Sequence, residues 1–238
     1  MATNQSQHIS QQFEKELQDI RSRVLAMGGM VEKQVSEAME ALITGDADLA
    51  RQVISGDEDV NKLDVSIDEE CIQIIALRQP TASDLRLVTG ILKTITDLER
   101  IGDEAARIAR MALNLAEKDR PKKNYRELHA LGQHVSGMLH NTLDAFARFD
   151  VDAALQVAHE DRQVDAEYES IMRQLMTYMM EDPRTISRVI DMMWSARSLE
   201  RIGDHSRNVS EHIIYLVEGK DVRHLSVEKM EKVIKGGE

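Results

Sequence analysis

The stretch Leu98-Glu99-Arg100-Ile101-Gly102-Asp103 returns further along the chain as Leu199-Glu200-Arg201-Ile202-Gly203-Asp204. In a helix of about 3.6 residues per turn, each Glu and the Asp four residues later share one face. Each copy therefore presents two carboxylates side by side. Solvated faces rarely need the same Arg-Ile-Gly between their acids. The repetition reads as one structural unit written twice.

The echo extends outward from the hexapeptide. Asp46, Asp48, Gln52 and Val53 match Asp150, Asp152, Gln156 and Val157, Asp57-x-x-Val60-Asn61 matches Asp161-x-x-Val164-Asp165, and Pro80 matches Pro183. Apolar steps of three and four residues run through Phe13, Leu17, Ile20, Val24, Met27, Val31, Val35, Met39 and Leu42, which predicts a first helix over 9–43. Similar patterns predict helices over 48–77, 83–116, 124–148, from 150 to about 180, and from Pro183 to 217, where Gly219 closes the last. Residues 1–8 are polar and are expected to fray. Ser226 can open a short helix in the tail. Thr81 with Asp84, and Asn124 with Glu127, have the spacing of helix N-terminal caps.

Three helices per unit and a period near a hundred residues imply an all-α fold of two tandem pseudo-symmetric three-helix bundles, not a short-repeat solenoid. The charged break Asp119-Arg120-Pro121-Lys122-Lys123 places the boundary between bundles at 1–118 and 119–238. Helices of some thirty residues are about 45–50 Å long. The methionines crowded between Met172 and Met193 read as adaptable core filler, and Trp194 as an anchor between helices.

Composition narrows the function. Hydrophobic residues make up 42% of the 238-residue chain and aromatics only 3%, so the core must be aliphatic and methionine-rich. A net charge of −12 argues against nucleic acid, which needs clustered Lys and Arg, and suits a protein that attracts cations. No apolar run approaches the roughly 18 residues of a membrane span, and the polar start, Met1 to Gln12, carries no secretory signal. The single Cys71 fits a reducing compartment.

The candidate site is a carboxylate metal site. With Ile95, Leu98, Gly102, Ala105 and Ala109 as the buried stripe, Glu99 lies about 80° and Asp103 about 120° from its centre. Both acids flank the bundle seam. Hard cations take such oxygens, and several acids are needed to complete a coordination sphere. Glu200 and Asp204 repeat the arrangement, and Asn208 extends that row by one turn where the first unit has Arg107, a cation able to neutralise its own site. On the preceding helices Asp57, Asn61 and Asp64, and Glu160, Asp161 and Asp165, recur at helical spacing as further candidates. The residues alone leave open a solvated acidic face, in which Asp103 pairs with Arg107 and Asp204 with Arg207. Gly102 and Gly203 each cost about 1 kcal/mol in a helix interior, which close helix packing can offset. The eight histidines show no ligand pairing on this face. There is no Glu-x-x-His of a di-iron oxidase, and no phosphate-binding loop, nucleophile elbow or CxxC.

Two three-helix units, each with Leu-Glu-Arg-Ile-Gly-Asp on its third helix, together with Asp204-His205-x-x-Asn208 and the closing Asp221-Val222-Arg223-His224, resemble the PhoU family of bacterial phosphate-transport accessory and regulatory proteins. The resemblance implies a cytoplasmic, non-enzymatic negative regulator of the phosphate regulon. Such a protein links a high-affinity phosphate ABC transporter and its ATPase to a sensor histidine kinase, and often acts as a homodimer. It also implies metal at the Glu/Asp-x-x-x-Asp motifs, iron or zinc, here at Glu99, Asp103, Glu200 and Asp204. A purely structural scaffold and a metal-dependent phosphoesterase or oxidase are the alternatives.

Overall fold

The computed structural model describes residues 2–116 and 125–236. Among them the elements are α1 (Ala2–Thr44), α2 (Ala47–Arg78), α3 (Ala82–Ala116), α4 (Arg126–Arg148), α5 (Val151–Glu181), a single 3-10 turn (Pro183–Thr185), α6 (Ile186–Glu218) and α7 (Val227–Ile234). The expected interbundle break and the cap at Asn124 lie outside the described residues. The first helix starts at Ala2, ahead of the predicted residue 9.

Local chemistry sets the helix ends. Asp46 accepts hydrogen bonds from the backbone N–H of Asp48 and Leu49 at 3.0 and 2.9 Å, and its echo Asp150 accepts from Ala153 at 2.9 Å. Each carboxylate satisfies a free N–H of the first turn. Asp182 caps the 3-10 turn through Arg184 N at 3.1 Å, so the proline opens that turn and not α6 itself.

Helices α1–α3 form one bundle and α4–α6 the other. Ile20, Val24, Met27, Val31, Val35 and Leu42 are fully buried along α1, as the stripe predicts. Burying one such aliphatic side chain contributes about 1.5–3 kcal/mol. Residues Met176, Met180 and Trp194 are exposed at 47, 84 and 53%, which corrects two expectations. The methionine-rich stretch is only partly core, and Trp194 anchors nothing between helices.

The two bundles meet along α3 and α6, which run antiparallel. Asn114 lies at Asp191, Glu104 at Arg201, Asp97 at Asn208 and Gly90 at Leu216. Gly102 and Gly203 fall midway along this crossing. The hexapeptide copies therefore straddle the pseudo-twofold at the centre of the molecule. Because α3 has neighbours on two sides, Ile101, Ala106 and Ile108 are buried along with the predicted stripe. No helix among the described residues is long and apolar enough to cross a membrane.

Candidate metal centre

The second unit assembles four acids from two helices. Glu200 and Asp204 come from α6, Asp161 and Asp165 from α5. Oxygen atoms of Asp165, Glu200 and Asp204 all lie within 4.8 Å of one another. Asp161 sits beside them, only 2% exposed, with Oδ2 3.1 Å from Arg207 Nη1. The approach of α5 to α6 depends on Gly203. A methyl group there would meet Val164 Cγ1 at 3.2 Å and Asp161 Oδ1 at 3.8 Å. Gly102 has the same role in the first unit, where a methyl group would meet Gln34 Oε1 at 3.2 Å and Asp57 Oδ1 at 3.3 Å. The helix-weakening glycine thus lets the acids of the preceding helix reach the motif.

Crowding these acids opposes their ionisation. Burial, then the neighbouring Asp204 charge, pushes the Glu200 carboxyl up to about 7. Burial raises Asp204 and Asp161 as well, with Asp165 adding to both. In the first unit burial, then Asp103, raises Asp57 and Glu99, and burial with Asp68 raises Asp64. These are the shifts expected where like charges are gathered without a cation. Three carboxylate oxygens are also buried without a hydrogen-bond donor: Glu200 Oε2, Asp161 Oδ1 and Asp57 Oδ1. Such atoms are costly in a folded chain unless something satisfies them. Buried, unpaired oxygens pointing into a carboxylate cluster fit a metal ion. The donor set, all oxygen with neither His nor Cys, suits a hard cation.

The arginines are not where the sequence suggests. Arg107 donates to Glu104 at 3.0 and 3.1 Å and does not neutralise the first site. Arg207 goes to Asp161 and, at 3.3 Å, to Glu211, instead of pairing with Asp204. Over the first site it is Arg100 that leans, with nitrogens 3.4 Å from Glu99 and 3.4 Å from Asp103. Its counterpart Arg201 crosses to Glu104 of α3 at 3.2 Å, and Glu200 is held at 2.5 Å by Arg197.

Asn208 does not extend the carboxylate row. Its Nδ2 donates to Asp97 Oδ1 at 3.1 Å across the interface. His205 Nδ1 and His212 Nε2 approach the same carboxylate at 2.8 Å each. Burial pushes the Asp97 carboxyl up, but the hydrogen bonds from His205, His212 and Asn208 outweigh it and hold it at about 2. Asp97 lies in neither motif, and its unit-two counterpart is Ser198, so the repeat gives no hint of this polar clasp. The one available signal is the four-residue ladder of Asn208 and His212, whose partner lies over a hundred residues away.

An antiparallel pair of three-helix bundles, each with a glycine between two carboxylates on its third helix, defines the class. The PhoU domain matches residues 24–112 and 128–213, once for each bundle. The chain is 55% identical over 229 residues to the phosphate-specific transport system accessory protein PhoU homolog of Pseudomonas putida, covering 96% of this chain and 90% of that one. It is 53% identical over 234 residues to the PhoU accessory protein of Escherichia coli, covering 98 and 96%. The crystal structure of PhoU from Pseudomonas aeruginosa superposes with a TM-score of 0.85 at 55% identity, over 87% of this chain and all of that one. The chain belongs to the PhoU family. These relatives are named as accessory proteins of transport, not as enzymes.

Proposed function

We propose that the protein is a cytoplasmic, non-enzymatic accessory protein of phosphate-specific transport that keeps the phosphate regulon repressed when phosphate is plentiful. In this reading it is an adaptor, as a homodimer, between a high-affinity phosphate ABC transporter with its ATPase and a sensor histidine kinase. The observation that carries the reading is full-length similarity, through both bundles, to relatives named for phosphate-specific transport. A deletion strain carrying a phosphate-starvation reporter tests it. Expression should rise in phosphate-rich medium and return to basal with the gene restored. A reporter that stays repressed in the deletion strain rejects the regulatory role. Pull-downs with the kinase and the ATPase, with and without phosphate, test the adaptor role.

The same reading gives the carboxylate clusters resident metal ions. Glu200, Asp204, Asp165 and Asp161 would hold one, and Glu99, Asp103, Asp57 and Asn61 a weaker counterpart. The all-oxygen donors favour iron over zinc, which prefers nitrogen and sulfur. The ion would supply positive charge that reconciles the buried acids. Elemental analysis of protein purified without chelator checks this, with metal at background as the negative result.

A further inference from the structure

The glycine of each hexapeptide is approached from both other helices of its bundle. At Gly203 the neighbours are Asp161 and Val164 of α5 and Met138 of α4. At Gly102 they are Asp57 and Val60 of α2 and Gln34 of α1. The two sets correspond place for place, so the first unit has an amide where the second has a thioether. Gln34 is only 6% exposed, and neither its Oε1 nor its Nε2 has a hydrogen-bond partner. A buried, unpaired amide is costly, and the buried Met138 shows that an apolar side chain fits the same place.

The amide is aimed at the carboxylate site. Gln34 Oε1 lies 3.2 Å from where a Gly102 methyl group would sit, and Asp57 Oδ1 lies 3.3 Å from the same point. Asp57 Oδ1 is itself buried and unpaired, so two unserved oxygens converge beside the motif from α1 and α2. Burial, then Asp103, raises the Asp57 carboxyl, while Arg110, Gln34 and Asn61 temper the rise. The exposed Arg100 makes its ion pairs with Glu99 and Asp103 and leaves both buried oxygens unserved. The first unit also has Asn61 where the second has Asp165. Acids alone therefore give it a poorer donor set. Hard divalent cations take amide carbonyl, carboxylate and water oxygens together, whereas a thioether is a soft donor.

We propose that Gln34 is a cation ligand of the first unit: its side-chain carbonyl, supplied by α1, joins Asp57, Glu99 and Asp103 around a hard divalent ion, a donor that Met138 cannot offer in the second unit. The inference rests on the reading that the carboxylate clusters hold metal, and its test separates the two. Calorimetric titration with Mn²⁺ uses the full chain carrying Glu200→Gln and Asp204→Asn, which disable the second site. Adding Gln34→Met should weaken binding about tenfold. Adding Gln34→Glu should keep or tighten it, since the carboxylate preserves the oxygen. Metal-free Gln34→Met should melt no lower than its parent, because it removes an unsatisfied amide. Binding weakened in both variants, or a lower melting temperature in metal-free Gln34→Met, marks Gln34 as a structural support of Asp57 and overturns the ligand role. Binding indifferent to Gln34→Met overturns it as well. Mn²⁺ binding by the unsubstituted chain but not by the chain with the disabled second site rejects this inference alone. Absence of binding in both chains rejects the metal reading, and the inference falls with it.

Discussion

Arg100 and Arg201 hold the same place in the two copies of the hexapeptide and point to different partners. Arg100 stays over Glu99 and Asp103 of its own site. Arg201 is drawn across the bundle interface by Glu104, a buried acid that the second unit lacks, having His205 there. On the preceding helix the first unit offers Asn61 where the second has Asp165. The first site thus has three carboxylates and a nearby arginine. The second has four, two of them paired to arginines, Glu200 to Arg197 and Asp161 to Arg207, while Asp204 has no arginine among the ion pairs of the described residues. Identical motifs have become unequal sites because their surroundings, not their own residues, differ. The lesson is that duplicated ligands do not imply duplicated affinity.

The largest expected contrast concerns the clasp between bundles. Asp97→Ala strands His205, Asn208 and His212 without their acceptor and should cost about 3 kcal/mol in chemical denaturation. The matching Ser198→Ala removes a buried hydroxyl that has no hydrogen-bond partner and should shift stability by well under about 1 kcal/mol. Equal effects would mean that the interface is symmetric after all.

Next comes metal affinity. Glu200→Ala should lose about 100-fold and Glu99→Ala about tenfold at its own site, read by calorimetry with a divalent or ferric ion. Conversely, Asn61→Asp should raise the first site by about tenfold by adding a fourth carboxylate. If Glu99→Ala is the more damaging, the ranking of the sites is reversed.

Acid titration separates the sites further. The Glu200 carboxyl titrates near 7 in the folded chain against 4.5 for an ordinary Glu. Its folded pKa is raised, so its contribution is complete below 4.5 and is lost as pH rises through about 7. Metal-free protein should therefore lose on the order of 2 kcal/mol over that window. Glu200→Gln should flatten the loss, and a bound cation should reverse it. Asp97 has the opposite sign. Its stabilisation is present above the ordinary 3.8 and disappears as pH falls through about 2.

The smallest contrast is between the glycines. At Gly102 a methyl group meets the ends of Gln34 and Asp57, whereas at Gly203 it meets the fully buried, β-branched Val164. Alanine favours helix by about 1 kcal/mol. Gly102→Ala should therefore be close to neutral in a thermal melt, and Gly203→Ala destabilising by about 1 kcal/mol.

Much was legible in the residues in order. Helix periodicity, matched caps at Asp46 and Asp150 and the doubled hexapeptide are local or repetitive signals, and they predicted six long helices, a short seventh and two bundles. Asp57, Asn61, Asp161 and Asp165 were legible as candidates because they recur at helical spacing next to a valine that packs on the motif glycine. Trp194 misled because a large apolar residue near a helix start gives no hint of which face its bundle buries.

By itself, then, the sequence determined the elements, their duplication and the candidate acids, since each depends on neighbours within a few turns. Only the tertiary structure decided where Arg100, Arg107, Arg201, Arg207 and Asn208 turn, that Asp97 clasps two histidines, and that Glu200 is the most strongly perturbed acid of the two clusters. The Arg201 contact and the Asp97 clasp depend on antiparallel α3 and α6, which bring together positions about a hundred residues apart, whereas Arg207 and the Glu200 shift depend on α5 packing against α6. Coulomb interaction and burial act through space, and only the folded chain sets those distances.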